Sequence, residues 1–112
     1  MAIDRLEQLL LFLKKDPNDA FTLYSIAYEF SSRKDHEKAI HYFTLLMDRH
    51  PDYVGLYYHL GKTYEETSQP ELAEKTYRDG LDMATRERDR HAFAELQSAL
   101  NKLLGLDYED EV

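Results

Sequence analysis

The stretch His50–Tyr64, HPDYVGLYYHLGKTY, returns in outline 34 residues earlier as Asp16–Phe30, DPNDAFTLYSIAYEF. At this offset Pro17 falls on Pro51, Leu23 on Tyr57, Tyr24 on Tyr58, Ile26 on Leu60, Ala27 on Gly61 and Phe30 on Tyr64. The correspondence continues with Glu37 on Glu71, Ala39 on Ala73, Phe43 on Tyr77, Met47 on Leu81 and Asp48 on Asp82. Large residues meet large ones and small meet small along a whole unit. That is how a chain that builds one supersecondary unit twice is written.

Inside each unit the period is helical. Leu23, Ile26, Ala27 and Phe30 are spaced i, i+3, i+4, i+7, and Ala39, Ile40, Phe43, Leu46 and Met47 form a second stripe. Between them SSRKD is polar and short, the connection of two antiparallel helices, with Asp35 placed to cap the second by accepting a backbone N–H. In the second unit SQPE does the same. Ser68 and Glu71 have capping-box spacing, whereas Pro70 at a first helical position makes Gln69 the cap, and the sequence leaves both open. Ala27 and Gly61 on the first helices, and Ala39 and Ala73 on the second, let paired axes approach to roughly 8–9 Å.

This outline resembles the tetratricopeptide repeat: a helix–turn–helix with a large residue, leucine-small and an aromatic on its first helix, then a small residue and an aromatic on its second. LYSIAYEF and YYHLGKTY match the first part, EKAIHYF and ELAEKTY the second, and Pro17 and Pro51 stand at the junctions. Each proline stops one helix, and Asn18 or Asp52 beside it is expected to cap the next. Leu23 and Tyr57 replace the family's usual Trp, Leu46 a usual Ala, and Thr85 a third Pro. The implied fold class is all-α, an α-α superhelix of about six antiparallel helices.

One domain is expected, with repeats over 17–50 and 51–84. Over 1–16, Leu6, Leu9, Phe12 and Leu13 imitate the second-helix stripe of a repeat, so this segment is read as an N-terminal capping helix. Over 85–104 a single C-terminal capping helix is expected, with Phe93, Leu96, Leu100 and Leu103 as its stripe and Gln97 at the small position. The rest, 105–112, is acidic with little to bury and reads as a frayed tail.

The composition narrows function. A formal charge of −8 disfavours nucleic acid and anionic membranes as partners, and no cysteine is available for disulfides or thiolate sites. The longest apolar run, Leu9–Leu13, is far too short to span a bilayer. The N-terminus lacks the pattern of a secretory signal, which makes the cytoplasm the expected compartment. His36 and His41 are five apart, not the i, i+4 that puts two zinc ligands on one helix face, so no metal is expected. The four glycines are scattered and form no phosphate loop, and no G-x-S-x-G elbow occurs. No cofactor and no enzymatic activity are expected.

What remains is a surface. Opposite the core stripe the first repeat carries Phe21, Tyr24, Ser25 and Tyr28, and the second carries Gly55, Tyr58, His59 and Lys62. The family resemblance implies that these faces line a concave groove for a peptide or helix of a protein partner. Tyrosine suits such a surface, offering flat apolar area and one hydroxyl at low rotamer cost, and Gly55 would leave room for a ligand backbone. Tyr24 and Tyr58 are equally placed to pack between adjacent first helices. The family's carboxylate clamp needs Lys and Asn on this groove, where Tyr24, Tyr28 and His59 stand, so chaperone C-terminal tails are not the expected ligand. The alternative is self-association, leaving a monomer or a weak homodimer.

Overall fold

The computed structural model describes residues 3–106, which form six helices and no strand: α1 (Arg5–Lys15), α2 (Ala20–Ser32), α3 (His36–Arg49), α4 (Gly55–Glu66), α5 (Pro70–Arg86) and α6 (Arg90–Leu103). The stack is elongated, 56 × 29 × 22 Å. The tightest pairs are α2–α3, α4–α5 and α5–α6.

Those three pairs share one turn. Lys34, Ser68 and Arg88 lie in the left-handed region, at φ 64°, 59° and 56°. After each, an N–H reaches back to a carbonyl of the last helical turn: Asp35 to Phe30 at 2.9 Å, Gln69 to Tyr64 at 2.8 Å and Asp89 to Ala84 at 2.9 Å. This is the Schellman ending, usually made with glycine. Here only the end of α6 uses one, Gly105 at φ 72°. A polar residue then opens the next helix. Asp35 accepts from Lys38 N at 3.3 Å and Asp89 from Ala92 N at 3.0 Å. At α5, Gln69 occupies the cap position with Pro70 following, and its side chain makes no capping bond. Ser68 is spent on the left-handed turn, so the capping box with Glu71 does not form.

The joints after α1 and α3 are of another kind. Asp16 and His50 end those helices, and Asp19, not Asn18, caps α2, its carboxylate accepting Thr22 N at 3.0 Å and the Thr22 hydroxyl at 2.6 Å. Asp52 does not cap α4 either: Val54 holds that position, without a side-chain bond. The proline carbonyls act as anchors instead, Pro17 accepting from Arg49 at 2.7 Å and Pro51 from the Tyr57 hydroxyl at 2.6 Å. The carbonyl of Asn18 meets the His50 ring at 2.6 Å, tying the two joints together.

The core follows the two stripes. Leu23, Ile26 and Ala27 of α2, Ala39, Phe43 and Leu46 of α3, Leu56 and Leu60 of α4, and Ala73 and Tyr77 of α5 are all fully buried. Each large aliphatic among them contributes about 1.5–3 kcal/mol of transfer free energy. A Cβ on Gly61 would lie 2.2 Å from Cε1 of Tyr77, and one on Gly80 would lie 2.6 Å from Cβ of Tyr57 and 3.0 Å from Cδ1 of Leu96. Gly61 thus sets the α4–α5 approach, and Gly80 lets α5 lie close to α4 and α6 at once.

Three expectations need correction. The helix over 85–104 is two pieces: α5 continues to Arg86, the chain turns at Arg88, and α6 starts at Arg90. Phe93 is 40% exposed, and Ala99 joins Leu96 and Leu100 in the core instead. Phe12 is 53% exposed, because α1 rests on α2 alone and only Leu6, Leu9 and Leu13 of its stripe reach the core. Of the acidic tail, Gly105 and Leu106 complete the turn that ends α6, and 107–112 lie outside the described residues.

Candidate functional site

The helices α2, α4 and α6 lie side by side along one face of the stack, each touching the next. Asp19 starts α2 so that Phe21, Tyr24 and Tyr28 follow on its outer side, while Leu23, Ile26 and Ala27 point into the core. Phe21 is 62% and Tyr28 46% exposed, large values for aromatic side chains. Ser25, expected on the surface, is buried at the floor of the hollow.

Five of the eight residues singled out from the sequence meet in that hollow, about 460 Å³ in volume: Phe21, Tyr24, Ser25, Tyr28 and His59. Arg5 and Glu29 close one side and pair with each other at 3.3 Å. His59 is the hub of the rings. It stands edge-on to Tyr28 at 5.2 Å and to Tyr24 at 5.8 Å, and lies parallel to Phe43 at 6.3 Å. Such centroid separations are those of favourable aromatic pairs. Burial lowers the His59 imidazole below its ordinary value, against the opposing pull of Glu95, so the ring is neutral near pH 7. Burial, with Tyr53, Tyr28 and Glu95 nearby, pushes the Tyr24 phenol up to about 12, and it stays protonated.

Gly55 lies in a neighbouring hollow of about 530 Å³, which shares Tyr24 as a wall and adds Tyr53, Asp52, Glu87 and Asp89. A Cβ on Gly55 would meet Tyr24 at 3.8 Å and Tyr53 at 3.9 Å, ordinary contact, so sterics do not demand glycine there. Tyr58 and Lys62 stand outside both hollows. The Lys62 ammonium sits 5.5 Å over the Tyr58 ring and 3.8 Å from Glu65. Tyr24 and Tyr58 are both half-buried, each divided between packing and surface.

The sequence pattern gave no sign of Tyr53, which has no aromatic echo in the first repeat, where Asp19 stands. Nor did it reveal an apolar groove of about 620 Å³ between α1 and α3, walled by Leu10, Leu13, Tyr42 and Leu45. The histidines of HEKAIH diverge: His36 approaches Glu66 at 3.5 Å, and His41 stands edge-on to Tyr42 at 5.0 Å. Among the described residues no group of three or more His, Cys, Asp or Glu is placed to hold a metal, and no helix is long and apolar enough to cross a membrane.

Known proteins sort this architecture. The tetratricopeptide repeat family model matches residues 54–86. A tetratricopeptide repeat domain protein from Salinibacter ruber, solved in solution, is 39% identical and superposes with a TM-score of 0.76, covering 84% of this chain and 95% of that one. The chain belongs to the tetratricopeptide repeat family. A crystal structure of a tetratricopeptide repeat domain protein from the same organism is 39% identical at a TM-score of 0.75, covering 80% of this chain and all of that one. A Bordetella parapertussis protein, 20% identical, shares the fold at a TM-score of 0.82 over 98% of this chain and 96% of its own. No curated protein matches the sequence. Tetratricopeptide repeat folds generally mediate protein–protein interaction and are typically non-catalytic.

Proposed function

We propose that this tetratricopeptide repeat protein is a non-catalytic interaction module that holds a peptide or helix of a protein partner across α2 and α4. The observation that carries this reading is the run of rings Phe21, Tyr24, Tyr28 and His59, which lines an open hollow of about 460 Å³ beside a fully packed core. Clefts of this size are where ligands are held, and here the aromatic walls share the lining with Arg5, Ser25 and Glu29. Ser25 at the floor and the Arg5–Glu29 pair at the side supply the directional contacts.

The test is Tyr28→Ala combined with His59→Ala. Capture of a protein partner is lost while helical circular dichroism stays that of the parent. Capture that survives the double substitution refutes the reading and moves the interaction to the groove between α1 and α3.

A further inference from the structure

The aromatic face does not end evenly. At the N-terminal ends of α4 and α6 it opens into the second hollow, where Asp52, Glu87 and Asp89 gather around Tyr24 and Tyr53 with no basic residue in the lining. Among the described residues none of these three carboxylates, nor Glu95 nearby, forms an ion pair. Asp89 has local work, capping α6 at its positive end. Glu87 does not: it closes the C-terminal end of α5, where a negative charge opposes the helix dipole, while Asp52 makes no capping bond to α4 and lies at that helix's positive end. Neutral His59 does nothing to offset this charge. The two rings of the hollow, Tyr24 and Tyr53, have centroids 5.2 Å apart at 40°, so a group entering beside them meets π-electron density as well as carboxylate.

Resting on the function proposed above, we infer that the partner segment is basic at one end: a lysine or arginine side chain enters between Tyr24, Tyr53 and the carboxylates Asp52 and Glu87, and its apolar neighbours lie over Phe21, Tyr28 and His59. Ring faces attract an ammonium or guanidinium, and the unpaired carboxylates complement its charge. An acidic segment meets repulsion at the same place, so the net charge of −8 acts in the same direction as the local field.

The experiment uses the full chain as bait for a random short-peptide library displayed on phage, with the Tyr28→Ala/His59→Ala protein in parallel. Enriched peptides carry Lys or Arg beside an aliphatic or aromatic residue and are lost on the double variant. For a synthetic peptide of that sequence, Asp52→Asn with Glu87→Gln weakens binding by about tenfold and flattens its salt dependence, leaving the thermal midpoint in place. Neutral or acidic peptides that still need Tyr28 and His59 overturn the basic-end inference while the aromatic groove stands. So do basic peptides indifferent to Asp52 and Glu87. Peptides indifferent to Tyr28 and His59, or no enrichment at all, overturn both.

Discussion

Replacing Gly61 by alanine sets two opposite effects of known size against each other. Gly61 is inside α4, and glycine at a helix interior is about 1 kcal/mol worse than alanine, so local propensity demands that Gly61→Ala stabilise. The packing demands the reverse. The new methyl would sit 2.2 Å from Cε1 and 2.7 Å from Cδ1 and Cζ of Tyr77, far inside the 3.4 Å at which ordinary contact begins. The Tyr77 ring cannot retreat easily, because it is fully buried and its hydroxyl donates to the Glu65 carboxylate. Overpacking of a filled core costs about 1–3 kcal/mol. The net expectation is a loss of up to about 2 kcal/mol, a fall in the urea midpoint of up to roughly 1 M at an m-value ordinary for a small domain. The first repeat contains its own control: there Ala27 stands for Gly61 and Phe43 for Tyr77, and both are fully buried. Tyr77→Phe releases the ring from Glu65, so Gly61→Ala with Tyr77→Phe loses less than the sum of the two, by about 0.5–1 kcal/mol of coupling. A midpoint that rises in Gly61→Ala, or strict additivity in the pair, would refute the claim that this glycine is fixed by the ring opposite.

Two further outcomes are expected. Arg88 makes no ion pair among the described residues yet holds φ 56°, so Arg88→Gly raises stability by about 0.5–1 kcal/mol in the same titration; a loss would mean the turn is not strained. The urea midpoint falls in two stages on acidification. Burial favours neutral His59 in the folded state, so stability is whole above the ordinary histidine value of 6.5 and declines as pH falls below it; His59→Gln removes this stage. Asp19 is held low by the Thr22 hydroxyl and N–H, and Asp4 by the Glu7 N–H. Their contribution is whole above the usual carboxylate range and is lost below about pH 4, a drop that Asp19→Asn shrinks. A single acid transition unchanged in both variants would refute these assignments.

The hairpins were legible because their signals are local and repeated. The stripe Leu23–Phe30 and its echo Tyr57–Tyr64 name the buried face twice, and Asp35 announces its helix by chemistry that needs no distant partner. The turn at Arg88 carries the same kind of signal, RKD in one place and ERD in the other, but lies off the 34-residue register that marks the repeats. Phe12 and Phe93 failed for a different reason: their apolar spacing is correct, yet a stripe only says which face seeks cover, not whether another helix arrives to provide it.

Of the eight residues expected to line a groove, helical period put Phe21, Tyr24 and Tyr28 on one face of α2 and the 34-residue offset put His59 on the matching face of α4, and the structure brings these four rings together. The sequence could not sink Ser25, set Tyr58 and Lys62 aside, or bring Tyr53 from the joint before α4 against Tyr24. Helix period fixes the angle of a side chain about its own axis and is written in neighbouring residues. Which carboxylates and rings meet across α2, α4 and α6 depends on how far apart three axes lie; for α4 and α6 that distance is set through α5, by Gly61 against Tyr77 and by Gly80 against Tyr57 and Leu96.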